Sequence, residues 1–332
     1  MIMKRCVFFL ALVILAGVCT ADTKVSVEQI TYRGWKGSYR LTAGHHSLVV
    51  VPQIGGRIME YSLNGRNVIW ENPAEYGKLY SIEKVWRNYG GYKTWNSPED
   101  RWGWPPDPVL DAGPATIEIK RAADGLPTLR IIGAPSLESG IMFTKEVTLK
   151  PDGRVSLVQR MHNISGVAQQ YGVWDVTQVR TPCFVAFPVR ADSRFPGGFK
   201  PMMKDSGKSK QWTSEDGLCI VEYQKEAGQI GADSPGPWMA WFKDNLAYVK
   251  LFGAVKDFSA YPDDGCSIEL FTSKPELGYL EMEIMGPVVI LRPGAETSIQ
   301  EEWAICTLDT PIRDRASVKK AVEELLRRKA IP

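Results

Sequence analysis

The stretch YLEMEIM at 279–285 places two carboxylates where they could move protons. In a strand, successive side chains point to opposite faces, so Tyr279, Glu281 and Glu283 share one face and Leu280, Met282 and Ile284 the other. Carboxylates side by side on a covered face repel and desolvate each other, which raises at least one pKa and makes a usable acid or base. If the face is simply wet, the same pattern means nothing. In YGVWDVTQVR (171–180), Trp174, Gln178 and Arg180 share a face. A flat ring can stack on the C–H groups of a sugar, while an amide and a guanidinium bond hydroxyls or a carboxylate. A core tryptophan with a glutamine at the rim gives the same pattern.

YGGYKTWNSPEDRWGWPPDP (89–108) brings Lys93, Trp95 and Glu99 within seven residues, again a cation, a stacking ring and a carboxylate. Prolines 98, 105, 106 and 108 fix their own φ, so the stretch is expected to be a rigid, irregular insertion that is neither helix nor central strand. Trp102 and Trp104 would cap the open end of the body, and the rest would wall a ligand cleft. His162 shares a face with Ser156, Val158 and Arg160 and is a candidate proton carrier, since imidazole titrates near neutrality. A lone strand histidine can equally be structural. Asp263, in the turn PDDG (262–265), is a further candidate binding residue, although aspartates in such turns commonly cap the backbone. Neither His162 nor the His45–His46 pair has a cysteine or carboxylate at ligand spacing, so no metal is expected, and no Gly-rich phosphate loop suggests a cofactor. Asn163-Ile164-Ser165 matches a glycosylation triplet, which also occurs by chance.

The elements that must position these residues are strands almost throughout. Period-2 patterns recur at 38–44, 47–53, 115–120, 128–134, 142–150, 154–164, 171–180, 183–190, 217–225, 246–254, 266–273, 278–285 and 297–306, punctuated by turn signals such as NG, PDG and PDDG. Only Ser81 to Asn88 and 314–329 read as helical, the second with Ala316, Val318, Ala321, Val322, Leu325 and Leu326 on one stripe. The expectation is an all-β chain: one large antiparallel β-sandwich over 22–312, closed by a short amphipathic helix within 313–332.

Residues 1–21, with a basic start, a short apolar run and small residues at Thr20 and Ala21, read as a secretory leader cleaved after Ala21. The protein is therefore expected to be secreted or periplasmic and free of the membrane after cleavage, with a lipid anchor at Cys19 the alternative. Without Lys4 and Arg5 the basic residues fall from 40 to 38, equal to the 38 acidic ones, which argues against nucleic acid as a partner. Cys183, Cys219, Cys266 and Cys306 could form up to two disulfides in any of three pairings, or remain buried thiols.

GHHSLVVVPQIGGRIMEYSLNGRNVIW (44–70) resembles the opening hairpins of galactose-mutarotase-like proteins. GGYKTWNSPEDRWGWPPDPVLDAGP (90–114), YGVWDVTQV (171–179), YPDDGCSIELFT (261–272) and YLEMEIMGPVVILRPGAE (279–296) are similar to blocks of an uncharacterised, mostly bacterial family of that superfamily. The resemblance runs from about Tyr39 to Ile305 and implies a β-supersandwich that binds a carbohydrate ligand on a concave face. It also implies that Glu283 is the base of an aldose 1-epimerase-like reaction. The usual catalytic histidine is missing, since Trp174-Asp175 stand where a mutarotase shows His-Pro; His162, Lys93 or Glu99 would supply the acid. A non-catalytic glycan-binding module is the alternative, as is a glycosidase or polysaccharide lyase.

Overall fold

Strands with one apolar face need a second layer to cover it. The computed structural model, which describes residues 23–80 and 85–332, meets that need with two antiparallel sheets packed face to face. The expected leader over 1–21, including Cys19, lies outside the described residues. The 12-stranded sheet runs from Ser26–Tyr32 through Trp35–Ala43, His46–Val51, Arg57–Leu63, Tyr92–Ser97, Gln169–Arg180, Tyr279–Met285, Ile268–Thr272 and Gly228–Ala232 to Lys200–Pro201. Two short strands pair beside this path. The 10-stranded sheet runs Trp212–Glu215, Leu218–Glu222, Phe184–Pro188, Trp238–Lys243, Leu246–Phe252, Glu296–Thr307, Val155–Asn163, Ile141–Leu149, Pro127–Ile132 and Thr116–Arg121.

The inner faces interlock as alternation requires. Leu280, Met282 and Ile284 from one sheet share a core with Leu157, Met239 and Trp303 from the other. Each such side chain contributes about 1.5–3 kcal/mol by leaving water. A polar cluster sits inside this apolar layer. The Lys250 ammonium pairs with Asp175, lies 3.4 Å from Glu301 and donates to the Thr177 hydroxyl at 2.9 Å. Gln159 donates to Glu301 at 2.7 Å and accepts from the Thr94 hydroxyl at 2.6 Å. Charges so deeply buried persist only when paired and hydrogen-bonded.

The expected closing helix forms over Arg315–Arg327, with Asp314 as its N-cap and Ser317 completing the capping box. Val318, Ala321, Val322 and Leu325, at i, i+3, i+4 and i+7, pack on Ala186, Ala240 and Val249 outside the 10-stranded sheet. Ala316 and Leu326, expected in the same stripe, fall off that spacing and are exposed. Of the helix expected at Ser81 to Asn88, 81–84 lie outside the described residues and 85–88 have no regular structure. All four cysteines are free thiols, three of them buried, so the disulfide alternative does not hold.

Segment 89–108 departs most from its sequence reading. Tyr92–Ser97 is a strand in the middle of the 12-stranded sheet, buried at every position. It lacks apolar alternation because both its faces are covered and both carry polar groups: Thr94 joins the core network, while Lys93 faces outward. Gly90 and Gly91 (φ 87° and 82°) lead into it, and a Cβ there would meet the carbonyl oxygens of Trp70 and Ile58 at 2.5 and 3.0 Å.

Candidate functional site

Register in the 12-stranded sheet decides which outward side chains meet. Trp174 stands opposite Trp95, Val176 opposite both Lys93 and Glu283, Gln178 opposite Glu281, and Glu283 opposite Glu269. Six expected residues, Lys93, Trp95, Trp174, Gln178, Glu281 and Glu283, therefore gather on one outward face. The Lys93 ammonium donates to Glu281 Oε1 at 3.0 Å, and the Gln178 amide reaches the same oxygen at 2.9 Å. Trp174 Nε1 donates to Glu283 Oε2 at 2.7 Å. Lys93 also lies over the Trp95 ring, 4.4 Å from its centroid.

A lining of rings roofs this face. Trp95, Trp174, Val176 and Met285 form an apolar cluster against which Trp102 and Tyr261 pack. Trp102 is thus a lid on the outside of one sheet, its indole donating to Asn96 O at 2.8 Å, and not a cap on the end of the sandwich. Trp104, expected beside it as a plug, is 57% exposed and touches Trp86 edge-on.

Under the roof, burial above all, and then the charge of Glu281, push the Glu283 carboxyl well above the usual carboxylate range; the Trp174 N–H and Lys93 oppose the shift without cancelling it. Burial, then Glu283 and Asp263, raise Glu269 likewise. Glu269 is the main residue that sequence reasoning passed over: it accepts from Gln229 at 3.1 Å through Oε2, and its Oε1 has no partner among the described residues. Alternation in CSIELFT puts it on a face with Phe271, but only the cross-strand register shows that the face is the one holding Glu283.

Of the remaining expected residues, Glu99 and Asp263 border the site and the others lie away from it. Glu99, exposed at the rim on the lid loop, has its pKa raised by partial burial of its carboxyl and by the charges of Asp263 and Glu281. Asp263 is also exposed, at φ 53°, in a turn where Lys200 bonds its carbonyl oxygen at 2.9 Å. Arg180 sits at the strand end and is bonded to Ile69 O at 3.1 Å and Glu71 at 3.5 Å. His162 is not at the site. Its strand belongs to the 10-stranded sheet, with the two-layer core between it and Glu283, because identical alternation serves a strand of either sheet. There its ring bonds Thr144 at 2.8 Å and faces Glu296 at 3.0 Å, and burial lowers its pKa. Asn163 is buried and its amide bonds Val167 O and Leu291 O, both at 2.8 Å, which removes it as a glycan acceptor.

Two large facing antiparallel sheets give the chain the architecture of a galactose-mutarotase-like sandwich. The chain matches a galactose mutarotase-like protein from Clostridium acetobutylicum with a TM-score of 0.60 at 11% identity, over 86% of this chain and 99% of that one. It matches a candidate aldose 1-epimerase from Klebsiella pneumoniae with a TM-score of 0.59 at 12% identity, over 91% and 87%. At such identities the likeness is one of fold. No curated protein sequence matches the chain. By sequence it belongs to the family described as a domain of unknown function (DUF4380), whose model matches residues 38–306, the context that the motif blocks imply.

Proposed function

We propose that this is an exported carbohydrate-active protein that takes a sugar on the outer face of its 12-stranded sheet and moves protons at the anomeric centre. The observation that carries this reading is the Glu281–Glu283 pair, set among indoles with one carboxyl kept proton-rich by burial. Two carboxyls in different environments are what acid–base work needs. Because its pKa is raised, Glu283 suits the acid, the reverse of the base role that the resemblance implies. Glu281, its Oε1 held by Lys93 and Gln178, presents Oε2 as the base. In the step, the O1 hydroxyl gives its proton to Glu281, Glu283 protonates the ring oxygen, and the C1–O5 bond breaks to an aldehyde. Rotation about C1–C2 and the reverse transfers close the ring as the other anomer. Export rests on the basic, apolar and small-residue pattern of 1–21.

Binding without turnover is the second reading, favoured by one observation: the only histidine offered as the acid lies on the other sheet. Anomeric exchange followed by NMR on a panel of aldoses separates the two. The expected outcome is acceleration that Glu283→Gln lowers by about 10²–10⁴-fold, the usual weight of a positioned acid. Sugar binding with no acceleration would leave a lectin-like module. Neither binding nor turnover would remove the carbohydrate reading altogether.

A further inference from the structure

The proton-transfer scheme leaves unused a cleft of about 420 Å³ on the same side of the 12-stranded sheet, beside the lid loop. That volume falls within the range of roughly 300–1,000 Å³ typical of small-molecule sites. Its walls are rings: Tyr80, Trp86, Tyr89, Trp102, Trp104 and Pro106. Trp104 stands exposed at 57%, its ring edge-on to Trp86 at 4.8 Å and to Trp95 at 6.2 Å, so that part of it faces the cleft and solvent.

Four of the five charged groups of the cleft are already engaged. Arg87 bonds Glu75 at 3.0 Å, and Arg101 donates to Gln170 at 3.0 Å. Asp107 accepts from the Val109 N–H at 2.9 Å, and Asp111 from Arg57 at 2.8 Å and Trp95 at 2.7 Å. Glu138 is exposed. The buried groups that lack a partner are neutral: the hydroxyl of Tyr89, a residue 1% exposed, and the buried indole N–H of Trp86 have none among the described residues. A buried polar group left unmatched is costly unless something else supplies its hydrogen bond.

We infer that this cleft is a stacking subsite for uncharged sugar residues, so that the preferred substrate is the reducing end of a neutral glycan chain. The inference rests on the sugar reading above and adds the class of sugar. Trp102 joins the two places, because it lines the cleft while its ring lies 6.3 Å from that of Trp174, the partner of Glu283. Rings supply stacking surface, and Tyr89 and Trp86 supply donors for hydroxyls. A residue of the chain bound at the carboxylates then leaves its neighbours against Trp102 and Trp104.

The test is binding of neutral gluco-, xylo- and manno-oligosaccharides, from mono- to pentasaccharide, by calorimetry on the wild type, Trp104→Ala and Tyr89→Phe. The phenylalanine deletes only an unpartnered hydroxyl, so Tyr89→Phe should unfold at or above the wild-type temperature, whereas Trp104→Ala also gives up ring contacts with Trp86 and Trp95 and is compared at a temperature where it is folded. Affinity is expected to rise with chain length in the wild type and to fall about tenfold for oligosaccharides in each variant, with monosaccharide binding unchanged. Equal affinity for mono- and oligosaccharides, or variants that bind oligosaccharides like the wild type, would overturn the subsite and leave the sugar reading standing. Absence of any binding to the wild type would overturn both.

Discussion

Glu283 and Lys145 show how burial, rather than pairing, sets the charge state of single residues here. The native Glu283 pKa lies above its ordinary 4.5. Above pH 4.5, and up to the raised value, the native state therefore holds a proton that the unfolded chain has released, so stability falls as pH rises. Glu283→Gln keeps an oxygen for the Trp174 N–H and removes the titration. Its melting temperature should exceed that of the wild type at neutral pH, and the two should converge below the ordinary carboxylate range. Lys145 is the opposite case. It is 4% exposed, lies 5.2 Å from the Tyr92 ring centroid, and has its pKa pushed down to about 7 by burial first and Arg57 second. Between that value and the ordinary 10.5 the unfolded chain holds a proton that the native state lacks, so stability rises with pH across this window. Lys145→Met should stabilise by roughly 1–4 kcal/mol at or below pH 7 and by progressively less toward alkaline pH, as denaturant titrations at several pH values would reveal.

Among the elements, the strand Tyr92–Ser97 shows why a site strand is hard to read. Its inward Tyr92 and Thr94 meet a core that is itself polar around Gln159 and Asp175, and its outward Lys93 and Trp95 are roofed by the chain that follows. Hydrophobic alternation presupposes one wet face and one dry face, and this strand has no wet face. Trp95 touches Trp102, Trp104 and Trp174 and donates to Asp111, so it is a structural post as much as a ligand surface. Trp95→Ala should cost about 3–5 kcal/mol in denaturant unfolding, and any loss of sugar binding would have to be judged against that loss of fold. The Glu281–Glu283 strand is the contrary case: its apolar side is uniformly dry, so alternation alone assigns the carboxylates to one face correctly.

The whole molecule is held by the layer between its sheets, with Lys250, Asp175 and Glu301 embedded in it. Lys250→Met would leave two carboxylates buried without their cation, and a loss of about 3–5 kcal/mol in equilibrium unfolding is expected. The thiols add no staple. Burial holds Cys183 and Cys219 up to about 12, so they are protonated and unreactive at neutral pH. A reducing agent should leave the melting temperature unchanged; a drop would reveal a disulfide. Alternation, turn residues and the capping pattern around Asp314 act over a few residues, so the sequence by itself determined the strands that have one wet face, the closing helix and which residues of those strands share a face. Strand order is decided by which apolar faces bury each other across the whole chain. That long-range choice put Glu269 opposite Glu283, brought Lys93 to Glu281, folded Trp102 over both, and sent His162 to the far sheet.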